Sequence, residues 1–234
     1  AQQPVLCSYQ HTKQRLDAIV KTKSGDIVLR QGVPHACLPV PPPLDDGDTH
    51  LGNVFIDVTT TALTEDLIFP ILEKAFPEPP RTTPTPAEKL LPKTMARLRS
   101  GQLLRILAWG DSVTCGSFVE EQDRWQCQFG RRLQQAFPGA VIELLTEAWN
   151  GRSTGSYLQE PPGSIHNYQE KVLDLKPDLI ISEFVNDAGT APEVIRDRYK
   201  KLHQDFKDIG AEWIILTPHY VRPDWMGLTS QKNI

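Results

Sequence analysis

Three short apolar runs, each followed by a polar loop bearing Gly or Asn, dictate how the second half of this chain folds. They are Leu103-Leu104-Arg105-Ile106-Leu107-Ala108, Val141-Ile142-Glu143-Leu144-Leu145 and Leu179-Ile180-Ile181-Ser182-Glu183-Phe184. Helical patterns separate them, so they cannot be hairpins and read as parallel strands joined by crossover helices. A fourth run, Trp213-Ile214-Ile215-Leu216, continues the series. The expected architecture is α/β: a three-layer αβα domain with a parallel, flavodoxin-like sheet. In such a sheet all strands end at one edge. The loops Gly110-Asp111-Ser112, Asn150-Gly151-Arg152-Ser153 and Val185-Asn186-Asp187 therefore converge.

That convergence has chemical meaning. A Ser fixed just past a strand is a candidate nucleophile. A backbone N–H at Gly151 and the amide of Asn186, brought to the same carbonyl, would form an oxyanion hole together with the Ser112 N–H. Gly-Asp-Ser alone is a weak signal, because a polar loop that merely caps the next helix looks the same. Asp111 and Asp187 flank the reactive positions and read best as loop braces that accept backbone N–H bonds. Asp111 is also counted with Arg152 and His219 as a substrate-binding candidate. Arg152 suits a carboxylate or a sugar hydroxyl, or pairs with a surface acid. Cys115 reads as a small buried residue, with a rival nucleophile as the alternative.

The three loops resemble the sequence blocks of the SGNH hydrolases, also called GDSL esterases, over residues 103–220, about half the chain. Gly110-Asp111-Ser112 resembles the block that holds the nucleophile. Asn150-Gly151-Arg152-Ser153 resembles the block whose Gly donates its N–H, in the form carbohydrate acetylesterases often carry. Asn186-Asp187 resembles the block whose Asn gives its amide, with Phe184 standing where the family pattern Gly-x-Asn-Asp has Gly. The resemblance implies serine ester hydrolysis through an acyl-enzyme, with catalytic residues Ser112, Gly151 and Asn186. Removal of acetyl or similar groups from a carbohydrate is the leading reaction.

The family's fourth block, Asp-x-x-His, supplies the base, and it is missing. None of His11, His35, His50, His166, His203 and His219 has an Asp three positions earlier. The expectation is that the chain is a fragment, or that a second polypeptide carries the block. His219, just past a strand, is the substitute within the chain. A non-enzymatic carbohydrate-binding protein that has lost its base is the competing class.

Other features set bounds. A net charge of −4 gives no pull toward nucleic acid or anionic membrane. No apolar run approaches the ~20 residues of a bilayer span. The start Ala1-Gln2-Gln3 suits a processed, secreted or periplasmic protein, or a trimmed cytoplasmic one. Four cysteines form no zinc pattern and no disulfide scaffold; Cys7 and Cys37 form a pair if the protein is exported. No cofactor or metal is called for, and the Asp45, Asp46, Asp48 cluster reads as a solvated loop before a calcium site.

Residues 1–76 are expected to be a small β-rich region. A hairpin is predicted around Ser24-Gly25-Asp26, a strand at Leu51–Ile56 and a helix starting at Thr64. Residues 77–101 read as a Pro-rich linker followed by a helix that begins at Pro86 and ends near Ser100-Gly101. Residues 102–234 form the α/β domain. Within it, Trp125, Phe129, Leu133 and Phe137 make one helix stripe. Val194, Ile195, Tyr199, Leu202, Phe206 and Ile209 make another. Trp109, Trp149 and Tyr157 read either as core or as rings that stack on sugars. Exposed apolar surface is expected near Ile214, Leu216 and Trp225.

Overall fold

The computed structural model describes residues 13–57, 60–71 and 86–217. The N-terminal part is an antiparallel sheet. Strand β1 (Arg15–Lys21) pairs with β2 (Ile27–Arg30) as the predicted hairpin and with β3 (Thr49–Ile56) on its other side. A short strand β4 (Ile68–Pro70) adds to the outer edge of β3. This corrects the helix expected from Thr64. Only one 3₁₀ turn forms, at Glu65–Leu67, and then Ile68 and Phe69 enter the ladder opposite Val54 and Asn53. The acidic first turn is a local helix signal, but the β-branched Ile68 and aromatic Phe69 that follow it favour a strand, and Phe69 packs there against Leu16, Phe55 and Val141.

The helical stretch before the α/β sheet comes in two pieces, α1 (Pro86–Leu90) and α2 (Pro92–Ser100), where a single helix was expected. Pro92 restricts Leu91 to φ −132°, outside the helical region, so the helix restarts after it. The predicted stop holds: Gly101 takes φ 71° and closes α2.

Next comes β5 (Leu103–Gly110), whose interior residues are almost all buried. The short helix α3 (Ser112–Cys115) follows at once. Helix α4 (Trp125–Ala136) crosses back to β6 (Val141–Ala148), and α5 (Thr154–Gln159) leads toward β7 (Leu179–Glu183). The long helix α6 (Pro192–Asp208) then leads to β8 (Glu212–Ile215). All pairings in this second sheet are parallel, and the strand order is β6-β5-β7-β8. The first strand is central and the second lies outside it, the flavodoxin-like order.

Helices cover both faces. One face buries Leu104, Ile106, Ile142, Leu179 and Ile181 against Met95 and Leu98 of α2 and the Trp125, Phe129, Leu133 stripe of α4. The other buries Leu107, Trp109, Ile180 and Phe184 with Tyr157 of α5 and Leu202 and Phe206 of α6. The α6 stripe is shorter than predicted, since Val194 is exposed in the first turn beyond the sheet. Trp109 and Tyr157 are fully buried core rings, not sugar platforms.

The N-terminal part packs on this body. Leu16 and Phe55 meet Val141 at the start of β6. Cys37 and Leu38 reach into the core beside α4. Gly130 of α4 makes room for them: a Cβ there would sit 2.4 Å from the Leu38 side chain. Cys37 is disulfide-bonded to Cys127 of α4, which corrects the Cys7 pairing; Cys7 lies outside the described residues. The partner is 90 residues away in sequence, so only the tertiary fold could reveal it. The acidic loop is held by Arg30, which pairs with Asp45 at 2.7 Å and with Asp48. No helix among the described residues is long and apolar enough to cross a membrane.

Candidate active site

The register of the parallel sheet places the three loops side by side. Gly110 is opposite Ala148 of β6 and Glu183 of β7, so the strands end level. Ser112, Gly151 and Asn186 each follow two or three residues later. The loops are also tied to one another. The Trp149 N–H donates to the Gly110 carbonyl at 3.0 Å, and the Asp111 N–H donates to the Glu183 carbonyl at 3.3 Å. Gly110 has to be Gly: a Cβ would lie 2.1 Å from Thr114 Oγ1 and 2.6 Å from the Glu183 carbonyl. The sharp exit from β5 depends on that missing side chain.

Asp111 organises the centre. Its carboxylate is buried and accepts from the Val113 N–H at 3.1 Å, capping α3. It also accepts from the Asn186 backbone N–H at 3.1 Å and from the Asn186 side-chain amide at 2.8 Å. Nucleophile loop and Asn loop thus share one carboxylate. Both carboxylate oxygens are engaged by these N–H groups, so Asp111 braces the two loops.

Ser112 is exposed at the first position of α3, and Asn186 is exposed on its loop. Gly151 is the third residue of a turn closed by the Arg152 N–H donating to the Trp149 carbonyl at 3.2 Å. Its φ of +69° is what a type II turn requires there, and Gly takes it without strain. The Ser112 N–H and the Gly151 N–H have no partner among the described residues. The Asn186 amide has spent one of its two hydrogens on Asp111. Three donors at one sheet edge are therefore uncommitted.

Asp187 clamps the loop from below. It is buried and accepts from the Thr154 N–H (3.1 Å) and hydroxyl (2.8 Å), the Arg198 guanidinium (3.1 Å) and the Tyr199 hydroxyl (3.1 Å). Burial pushes its pKa up, and these bonds and the Arg198 charge pull it back. Gly155 leaves the space Arg198 occupies, since a Cβ would lie 2.6 Å from the guanidinium carbon. Sequence reasoning found Asp187 as a brace but missed Arg198 and Tyr199. Their spacing along α6 and the Gly155 gap were the signals available.

Glu183, at the end of β7, is buried beside Asp111. Burial first, and the Asp111 charge second, push its pKa up to about 7. Phe184 stands where a Gly would be expected, yet its φ of −138° needs no Gly. Its ring packs edge-on against Trp109 at 4.7 Å.

Arg152 is exposed, with its guanidinium 4.9 Å from the centre of the Trp149 ring. Cys115 is half-buried and not buried as expected, with its thiol 3.1 Å from the Ser117 hydroxyl. Three histidines are engaged locally: His35 accepts from the Cys37 and Leu38 N–H groups, His50 bonds the Gly52 carbonyl, and His166 pairs with Glu147 at 2.7 Å. His219 and Trp225 lie outside the described residues. Of the edge positions expected to be exposed, Leu216 is, while Ile214 is half-buried in the core facing α2.

No family model matches the chain, and no curated protein matches it. Solved structures do. A two-domain esterase (CEX) active on acetylated mannans is 21% identical, over 55% of this chain and 33% of that one, at a TM-score of 0.47. The acetyl xylan esterase AlAXEase is 17% identical, over 56% of this chain and 67% of its own, at 0.45. AlinE4, an SGNH-hydrolase family esterase, is 23% identical, over 57% and 67%, at 0.43. This chain spans a third of the two-domain esterase. At TM-scores below 0.5 these likenesses decide nothing about the chemistry. Strand order and strand ends give the chain a flavodoxin-like parallel sheet with its three loops level at one edge.

Proposed function

We propose that this chain carries the nucleophile and oxyanion hole of a serine ester hydrolase that removes acetyl or similar groups from a carbohydrate. The observation that supports it best is the set of uncommitted donors beside Ser112: its own N–H, the Gly151 N–H and the second hydrogen of the Asn186 amide, held by Asp111. Ser112 Oγ attacks the ester carbonyl and its proton passes to a base. The carbonyl oxygen becomes an oxyanion and takes the three hydrogen bonds. Collapse expels the sugar hydroxyl, which receives the proton from the base, and leaves an acyl-Ser112. Water, deprotonated by the same base, then releases the acid and restores Ser112. Fixed donors aimed at a developing charge are each worth about 10²–10³ in rate.

The base in this reading comes from outside the described residues, as an Asp-x-x-His segment of a longer chain or of a second polypeptide, or as His219. Imidazole in solution can stand in for an absent His. Hydrolysis of p-nitrophenyl acetate is to be measured against imidazole concentration, with Ser112→Ala as the baseline for imidazole's own catalysis. A Ser112-dependent rate that grows with imidazole supports an external base. A Ser112-dependent rate without imidazole, abolished by His219→Ala, assigns the base to His219. Identical rates for both proteins at every concentration would remove the ester-hydrolase reading. Acetylated mannan and acetylated xylan are the first polymers to test.

A further inference from the structure

The turn that presents Gly151 also presents a cation. Arg152 follows the proposed oxyanion donor directly, it is exposed, and it has no acidic partner among the described residues. It is nevertheless not a free-swinging surface arginine. Its guanidinium lies over Trp149, and the same turn bonds the Arg152 N–H to the Trp149 carbonyl. Trp149 is itself fixed. Its N–H is bonded to the Gly110 carbonyl on the nucleophile strand, and its ring stacks on His166 at 4.5 Å and 17°. Its ring also meets Tyr157 edge-on at 5.7 Å. Glu147 holds His166 at 2.7 Å and accepts from the Tyr157 hydroxyl at 3.1 Å. The nearest acid in this stack is therefore already engaged by His166.

A guanidinium resting on an indole keeps its N–H edge open, because the ring takes its face. It is ordered before any ligand arrives, so less entropy is lost on binding. Planar guanidinium recognises carboxylate through two parallel hydrogen bonds. Resting on the proposed esterase reading, we propose that Arg152, seated on Trp149, is the specificity residue of an anionic subsite, and that the preferred substrate carries a carboxylate near the ester. That carboxylate is either on the sugar, as in a uronate, or on the acyl group, as in a half-ester of a dicarboxylic acid.

The test uses binding as well as turnover, so it does not depend on the base. Binding is read by isothermal titration calorimetry at low salt in every variant, and the Arg152 Nε–H signal in ¹⁵N NMR of the parent protein reports engagement of that side chain. The probes are methyl glucuronoside against methyl glucoside, and monomethyl succinate against methyl propionate. One anionic probe should bind at least about tenfold tighter than its neutral partner and move the Arg152 signal. Which pair shows this locates the carboxylate. Arg152→Ala should erase the difference, and Arg152→Lys should keep part of it. In turnover, Arg152→Ala should raise KM for the matching anionic ester about tenfold more than it raises KM for its neutral analogue. Equal binding of charged and neutral probes, or equal loss on both substrates, overturns the subsite. Loss of ester turnover by Ser112→Ala with anion binding intact, or its absence, speaks to the esterase reading separately.

Discussion

Glu183→Gln isolates the electrostatic cost of building this site. Glu183 is buried at the end of β7, next to Asp111, and its pKa rises from an ordinary 4.5 to about 7. That interval corresponds to about 3 kcal/mol. The sign follows from proton counting. Between pH 4.5 and about 7 the folded protein holds a proton that the unfolded chain has released. Stability from this group is therefore full below pH 4.5 and is lost as pH rises through about 7. Gln cannot ionise, so the variant lacks this loss. Asp187 moves in the same direction in both proteins and cancels in the difference. Urea unfolding of the two proteins at pH 5, 6, 7 and 8 reads the effect. The variant should gain up to about 3 kcal/mol relative to the parent between the ends of that series. Unfolding curves that stay parallel across it would refute the assignment of a neutral Glu183 to the folded state.

Other variants test the supports. Asp111→Asn weakens the grip on both Asn186 and the Val113 N–H, and kcat on a reporter ester should fall about 10²-fold with KM little changed, as measured by steady-state kinetics. Arg198→Leu leaves the Asp187 carboxylate buried without its charge partner, and urea unfolding at pH 7 should show a loss of about 3–5 kcal/mol. Reducing Cys37–Cys127, which closes a loop spanning 90 residues, should cost up to about 4–5 kcal/mol of stability; the double Cys→Ser variant should match the reduced protein and be insensitive to reductant.

The parts of the fold that were legible share a cause. Buried parallel strands are near-continuous apolar runs, so β5, β6, β7 and β8 were visible from composition over a few residues. Their order alone brings Ser112, Gly151 and Asn186 to one edge. What was missed depends on partners distant in sequence. Ile68 and Phe69 look helical after Glu65 and Asp66 until β3 offers a ladder. Cys37 has a nearer candidate in Cys7 until the fold brings Cys127 beside it. The role of Asp111 is invisible until Asn186 lies against it, 75 residues on. The break at Leu91 is different. Pro92 was a local signal, and it outweighed the continuous helix pattern around it.

The central claim is that Ser112 is the group that becomes acylated. Its most direct test is to hold the protein with p-nitrophenyl acetate, quench with acid, digest, and locate any added acetyl group by mass spectrometry. Imidazole is included where turnover requires it. The proposed chemistry predicts a single acetyl on the peptide bearing Ser112, assigned to its Oγ by fragmentation and absent in Ser112→Ala. An acetyl on Cys115, or labelling that persists in Ser112→Ala, would contradict it.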